Sequence, residues 1–220
     1  MRTQGAYYLS HSYGPHAHLD GSLHVPNKGR WTYTKNVEAL KETVKNSSEV
    51  LIRHFDKYDE QLPPLWAVCE VMTLGQLSRW YGNLKFRKDR KSIAKEYDLD
   101  ETNLTSFLHH LSIVRNRNTC AHHGRLWNRE FTFAWKLPER TPAGLYQNLT
   151  PVSNRRLYNT LVMLAYLLNC INTNSWKQTI NSLFVRHSEI KNTAMAFPND
   201  WKDRPIWFDR YHSLSGSYEY

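Results

Sequence analysis

The stretch from Leu65 to Tyr81 limits most strongly what this chain can fold into, because a helix built from it is apolar nearly all round. Its large apolar residues recur at helical spacing: Trp66, Val68, Cys69, Val71, Met72, Leu74, Leu77 and Trp80. Pro63 and Pro64 break the chain directly before it. A helix without a polar side has to be enclosed by other elements. We therefore predict a central helix at 65–81 that carries a single acid, Glu70.

Most of the other regular elements are also predicted to be helices, and FTFAWKLP at 131–138 is predicted to be extended. Apolar residues at helical spacing favour five further helices, at 1–12, 36–58, 104–123, 153–171 and 176–190. The basic connector at 84–99 is predicted to contain a short helix as well. Asn36 is the predicted N-cap of the helix at 36–58. Residues 13–34 are rich in glycine and proline, which is typical of a loop. The predicted fold is all-α, a helical bundle with long loops.

The charge of the chain favours polyanionic partners. The formal net charge is +9 and the pI is about 9.5, which points first to nucleic acid and second to an anionic membrane. The most apolar run, 161–168, is far shorter than the roughly 20 residues that span a bilayer, and it is predicted to be a buried helix. We expect RNA, and no membrane, as the partner. Three widely spaced cysteines, Cys69, Cys120 and Cys170, do not form a disulfide framework and indicate a reducing cytoplasm.

Residues 115–129, RNRNTCAHHGRLWNR, concentrate the groups that perform chemistry. If the helix that starts at Leu104 continues to His123, Arg115 lies seven positions before His122, within about 20° of the same face. Arg117 lies five positions before His122, about 140° away. Both arginine side chains are long enough to meet a phosphate that is held near His122.

An arginine beside a histidine supplies what metal-free RNA cleavage requires. A histidine takes the proton from a ribose 2′-OH or gives one to the leaving 5′-oxygen. A guanidinium holds the phosphate with paired donors and stabilises the charge that develops on it. Asn118 is predicted to orient the histidine or the phosphate. Since one chain offers a single Arg/His set, a two-fold dimer would supply both the acid and the base.

Other interpretations of the same residues stay open. Arginine, asparagine and histidine at the end of a helix also cap its last carbonyl groups, with Gly124 ending the helix. A metal site fits less well, because Cys120 and His122 are two positions apart, a spacing that no common helical ligand pair uses. His16 and His18 lie in a loop without evident partner ligands. We expect no metal and no other cofactor.

A second set of residues is predicted to contact RNA without reacting with it. Its members are basic or polar: Lys88, His123, Arg125, Asn128 and Arg129. Lys88 belongs to the densest basic cluster of the chain, at 85–91, where phosphate contact and simple solvation are both compatible with the residues. Trp127 is predicted to anchor the turn after the helix in the core, with base stacking as the alternative.

Glu70 is predicted to lie in the core, on the central helix. An unpaired buried carboxylate is costly. We therefore predict that Glu70 forms a buried ion pair, either with Arg115 or Arg117 or with another base nearby, and so supports the catalytic arginine.

Three segments resemble the abortive-infection (Abi) proteins of the HEPN superfamily. The family signature is similar to residues 117–129, RNTCAHHGRLWNR. The second hallmark helix of the family is similar to residues 64–81, PLWAVCEVMTLGQLSRWY. A further family segment is similar to residues 6–20, AYYLSHSYGPHAHLD. The resemblance implies an all-α HEPN bundle and a role in phage defence. It also implies a metal-independent ribonuclease, usually dimeric, that in some members associates with a small noncoding RNA.

The resemblance assigns roles by motif. Arg117, Asn118 and His122 match the arginine, polar residue and histidine of the family pattern, and Arg115 satisfies its looser spacing. It also places an Abi/HEPN-like helical domain at 1–195 and an aromatic tail at 196–220. Because further helices precede the AYYLS segment in the family, we expect this chain to lack the N-terminal part of the family domain.

Overall fold

Helices form most of the regular structure in the computed structural model, which describes residues 1–57, 59–116, 127–172 and 174–208. The helices are α1 (Arg2–Tyr13), α2 (Tyr33–Lys45), α3 (Val50–His54), α4 (Leu65–Val71), α5 (Leu74–Gly82), α6 (Arg87–Lys95), α7 (Glu101–Asn116), α8 (Leu157–Ile171) and α9 (Trp176–Arg186). Strands β1 (Asn27–Lys28) and β2 (Trp31–Thr32) pair as an antiparallel hairpin. The prediction of an all-α fold is confirmed.

The chain divides into two compact units. Unit 1 comprises residues 1–96 and 100–113, and unit 2 comprises residues 97–99 and the chain from 114 onward. The predicted boundary between a helical domain at 1–195 and a tail at 196–220 stays a prediction.

The core of unit 1 is built on α1, α4 and α5. Helix α1 packs against α4 and α6, and Ala6 is buried on it. Leu40 of α2, Val68 of α4 and Trp80 of α5 belong to the same buried cluster. Burial of such side chains stabilises each of them by roughly 1.5–3 kcal/mol relative to exposure, so apolar packing holds these short helices together.

The predicted single helix at 65–81 is two helices. Met72 and Thr73 have extended backbones, with ψ of 137° and 157°. Thr73 then caps α5 reciprocally: its Oγ1 accepts from the backbone N–H of Gln76 at 3.2 Å, and the Gln76 amide oxygen accepts from the backbone N–H of Thr73 at 2.8 Å. This capping box satisfies two N–H groups that a helix start leaves unpaired, and it fixes the break.

Replacing Thr73 with alanine is expected to lower the free energy of unfolding by about 1 kcal/mol, because the cap of α5 is lost. Urea denaturation at neutral pH measures the change. Thr179→Ala on α9 is the matched control, since its hydroxyl donates to Ser175 within a helix and caps no N-terminus. An equal loss in both variants would contradict the capping role of Thr73.

The predicted helix at 36–58 is also divided, into α2 and α3. Asn36 is not its cap, because α2 begins at Tyr33 and the Asn36 amide donates to Thr32 O at 2.8 Å. Between the two helices the Ser47 hydroxyl accepts from the backbone N–H of Glu49 at 3.2 Å. A short polar side chain therefore takes over a backbone group that a continuous helix would use.

Unit 2 is organised by α8 and an aromatic cluster. Tyr158, Phe184, Phe197, Trp201 and Trp207 meet with ring centroids 5.0–6.3 Å apart. The last three belong to the predicted tail, and all three are buried. Asn148 is fully buried beneath them, where its side-chain oxygen accepts from the backbone N–H of Ile206 at 2.9 Å. These three aromatic side chains of the predicted tail thus belong to the core of unit 2.

Candidate functional site

The predicted catalytic stretch falls largely outside the described residues. Arg117, Asn118, His122, His123 and Arg125 all lie between residues 117 and 126. Their roles, and the place of each relative to the others, stay predictions. Arg115 belongs to α7, and its position on that helix is given by the backbone.

Helix α7 leads into this stretch. It begins after Asp100, whose carboxylate accepts from the backbone N–H of Thr102 at 2.8 Å. Leu104, Phe107 and Leu108 are buried in unit 1, at the spacing expected of a helix with one apolar face. Of the two adjacent histidines, His110 is buried and His109 is exposed. The described helix ends at Asn116, directly before the family signature begins.

The chain that leaves the stretch is anchored within unit 2. The indole N–H of Trp127 donates to Lys191 O at 3.3 Å. Asn128 has a positive φ of 53°, a conformation that asparagine tolerates better than most residues. Its side-chain oxygen accepts from Arg156 Nη1 at 3.0 Å, and Phe131 N donates to Arg155 O at 2.7 Å. These contacts fix where the signature ends.

Two of these observations bear on the predictions for Trp127 and Asn128. Trp127 is 38% exposed, so the prediction that it anchors the turn from within the core is wrong. Asn128 holds Arg156, which gives it a structural role beside the RNA contact predicted for it. Arg129 is half-buried, and its predicted RNA contact stays a prediction.

The predicted burial of Glu70 is wrong. Its side chain is 57% exposed on α4, and its carboxylate lies 3.9 Å from the guanidinium of Arg2. The break at Met72 and Thr73 explains the difference, because α4 and α5 do not form one helix that must be enclosed on every side. An exposed pair of this kind contributes little to stability.

Lys88 lies on the exposed surface of α6, as an RNA contact requires. Its ammonium group is 5.9 Å from the ring centroid of Tyr13 and 5.7 Å from that of Phe86. The sequence indicated the basic cluster at 85–91, but it did not indicate that Tyr13, which is 75 positions away from Lys88, lies beside it.

Sequence reasoning missed a buried histidine in unit 1. His18 is 2% exposed and lines a cavity together with Arg2, Cys69 and Trp80. Neither of its ring nitrogens has a hydrogen-bond partner within the described chain. Burial lowers the pKa of His18 to about 4, with further lowering from His16 and His24. The imidazole is therefore neutral at pH 7.

The structure brings His16 and His18 together, with ring centroids 6.1 Å apart. Across the part of the chain that the structure describes, no three His, Cys, Asp or Glu side chains are grouped as a metal site requires. In the same part, no helix combines the length and the apolar content needed to cross a bilayer.

Comparison with known proteins gives the family. A family model described as Abi-like protein matches residues 1–128, more than half of the chain. This chain belongs to the Abi-like protein family. The match covers α1 to α7 of the Abi-like chain and the arginine- and histidine-rich stretch as far as Asn128. No curated protein and no solved structure shows significant similarity to it. Membership in the Abi-like family points to a role in abortive infection.

Proposed function

We propose that this chain is a metal-independent endoribonuclease that acts in abortive infection. His122 transfers the protons, Arg117 holds the phosphate, with Arg115 as the alternative, and Asn118 orients the reacting groups. The observation that supports the proposal most is that the family match extends to residue 128 and so includes all four residues to which we assign a catalytic role. Helix α7 precedes the stretch along the chain. Trp127 and Asn128, at its other end, make hydrogen bonds within unit 2.

The proposed reaction needs only groups of the protein and of the RNA. One histidine removes the proton from a 2′-OH, and the resulting oxygen attacks the neighbouring phosphorus. The bond from phosphorus to the 5′-oxygen breaks, and a second histidine gives that oxygen a proton. The guanidinium balances the additional negative charge on the phosphate in the transition state.

The need for both an acid and a base leads to the proposed assembly. One chain supplies one Arg/His set, and a homodimer with two-fold symmetry would bring two sets together. The proposed enzyme therefore has two kinds of partner, RNA and a second copy of the chain. A small noncoding RNA is one candidate for the RNA partner. We place this activity in the cytoplasm.

Cleavage of a short single-stranded RNA is expected to yield 2′,3′-cyclic phosphate and 5′-hydroxyl ends, because the 2′-oxygen is the nucleophile. Excess EDTA should leave the rate unchanged, since no step uses a metal ion. Mass spectrometry of the products, with and without the chelator, measures both.

Products with 3′-hydroxyl ends, or a reaction that stops in EDTA, would contradict this mechanism. Tight RNA binding without any cleavage would favour the second candidate function, a noncatalytic RNA-binding protein of the same fold. The net charge of +9 is equally consistent with that function.

A further inference from the structure

Helix α6 presents an unusually cationic surface in unit 1. Its nine residues include five basic side chains, Arg87, Lys88, Arg90, Lys91 and Lys95, and one acid, Asp89. Asp89 is fully buried. The one negative charge of the helix is therefore turned inward, and the charge that α6 offers to solvent is positive.

The buried carboxylate of Asp89 positions aromatic side chains of α1 beside this surface. The Tyr13 hydroxyl donates to the two carboxylate oxygens at 3.0 and 3.1 Å, and the Tyr8 hydroxyl donates to one of them at 3.1 Å. Hydrogen bonds to a charged acceptor are stronger than neutral ones. They hold the Tyr13 ring in place, 5.9 Å from the ammonium group of Lys88.

Phe86 is the exposed aromatic residue at the start of α6. It is 39% exposed, and the ammonium groups of Lys85 and Lys88 each lie 5.7 Å from its ring centroid. The backbone under the ring is fixed, because Lys85 N donates to Leu23 O at 2.8 Å. Phe86 is thus an exposed ring close to two ammonium groups, and the backbone beside it is held by a hydrogen bond.

Both arginines of α6 make contacts within the fold. Arg87 pairs with the buried carboxylate of Glu101, and Arg90 donates to Leu84 O. No salt bridge within the described residues joins Lys85, Lys88 or Lys91 to a carboxylate. Lys88 and Lys91 are three positions apart, on one face of the helix. The interaction with the Tyr13 side chain is the main cause that raises the pKa of Lys88.

We infer that this surface, the α6 platform of Tyr13, Lys85, Phe86, Lys88 and Lys91, binds single-stranded RNA. One base stacks on Phe86, and the neighbouring phosphates contact the lysines. Proteins hold single strands by this combination of an aromatic ring and a cationic track. A duplex would keep its bases away from the ring. The inference rests on the proposed function in one respect, the choice of RNA as the polyanion that binds.

The composition of the surface argues against a membrane as its partner. A helix that lies in a membrane interface inserts a continuous apolar face. Between residues 85 and 95, Phe86 is the large hydrophobic residue that the structure exposes. A single ring among lysines suits one base better than it suits a lipid layer.

The test measures binding of the full chain to 2′-O-methyl RNA of about 12 nucleotides, within the range that one single-strand site covers. This RNA cannot undergo the proposed attack, so cleavage does not interfere. Phe86→Leu is expected to weaken binding about 5- to 50-fold, and Phe86→Trp to retain it, because stacking needs a ring. Replacing Lys85, Lys88 and Lys91 with glutamine should make RNA affinity less dependent on salt. The slope of the logarithm of affinity against the logarithm of salt concentration should fall by about 2, because each of the three lost phosphate contacts contributes roughly 0.7 to it.

Matched controls come from the same unit. Lys28, Lys35 and Lys45 are exposed, and their replacement with glutamine makes the same change in net charge. Trp66 is 47% exposed on α4, so Trp66→Leu removes a comparable exposed ring. Both controls should bind RNA nearly as the unchanged protein does. Thermal unfolding of each variant verifies that it is folded.

The inference would be overturned if Phe86→Leu binds RNA as tightly as the unchanged protein. It would also be overturned if the variant with glutamine at positions 85, 88 and 91 loses no more RNA affinity than the control with glutamine at positions 28, 35 and 45. A third contradicting result is that the first of these triple variants loses binding to phosphatidylserine vesicles but keeps its binding to RNA. If RNA is cleaved while all platform variants bind normally, the proposed function stands and the platform does not. If the platform binds RNA but unmodified RNA stays intact, the opposite holds.

Discussion

Replacing His122 with alanine is expected to slow RNA cleavage about 1000-fold and to leave RNA affinity nearly unchanged. A general acid or base contributes roughly 10²–10⁴-fold to the rate, whereas the affinity comes mainly from contacts between cationic side chains and phosphates. Single-turnover cleavage of a labelled RNA, together with its dissociation constant, separates the two effects. Toxicity in cells that express the variant should fall with the rate.

His109 provides the matched control for this substitution. It is exposed on α7, so His109→Ala removes an imidazole from the helix that leads into the proposed site. This control should cleave RNA at the original rate. Comparison of Arg115→Ala with Arg117→Ala then identifies the phosphate ligand, because the variant with the larger loss of rate lacks the catalytic guanidinium. If His122→Ala cleaves RNA normally, or loses binding as completely as cleavage, the assigned role of His122 is wrong.

The existence of the helices could be predicted from the sequence, but their ends could not. Apolar spacing continues from Leu65 to Tyr81 across the break, and so it predicted one helix. The sequence Thr73-Leu74-Gly75-Gln76 did carry the signal of a capping box. The spacing of apolar residues shows which side chains a helix would bury. Whether the backbone stays helical also depends on local hydrogen bonds from side chains, which the spacing does not show. The error over Glu70 followed from this one, since a continuous helix would have required its burial.

The break between α2 and α3 has the same physical origin. The polar sequence Asn46-Ser47-Ser48 offers side-chain groups that compete with helical backbone hydrogen bonds, and Ser47 does so by accepting from Glu49 N. Asn36 was a plausible cap by residue type, but Tyr33, three positions earlier, already begins α2. Residue preference alone does not decide between two caps within one turn of each other.

The burial of His18 could not be predicted from its neighbours in sequence. The cavity around it is formed by α1, α4 and α5, whose approach depends on tertiary packing. The platform on α6 could not be predicted from the sequence for the same reason, because it brings Tyr13 and Lys88 together from distant parts of the chain. The candidate site differs from both: its residues are contiguous in sequence, and the family signature therefore indicates them without knowledge of the packing.

Acidification from pH 7 to pH 5 is expected to lower the free energy of unfolding by about 2 kcal/mol through His18 alone. Its pKa is about 4 in the folded chain and about 6.5 when unfolded. Between these values the unfolded chain binds more protons, so stability falls as the pH falls through this range. The loss reaches about 3 kcal/mol at pH 4, and its limit at lower pH is about 3.4 kcal/mol, because each unit between the two pKa values contributes about 1.36 kcal/mol. Above pH 7 the contribution of His18 is constant. Burial also lowers the pKa of His24, which acts in the same direction.

The variant His18→Leu tests this assignment, because it keeps an apolar side chain in the cavity and cannot bind a proton. The residues that line the cavity include the cationic Arg2 and, among the described residues, no carboxylate that could pair with a protonated His18. Urea denaturation at pH 7 and pH 5 should show the loss of stability in the unchanged protein and a loss smaller by about 2 kcal/mol in His18→Leu. His11→Leu, at an exposed histidine of α1, should behave as the unchanged protein. An equal pH dependence in all three proteins would show that the acid sensitivity comes from other groups, and that His18 is not held neutral by its burial.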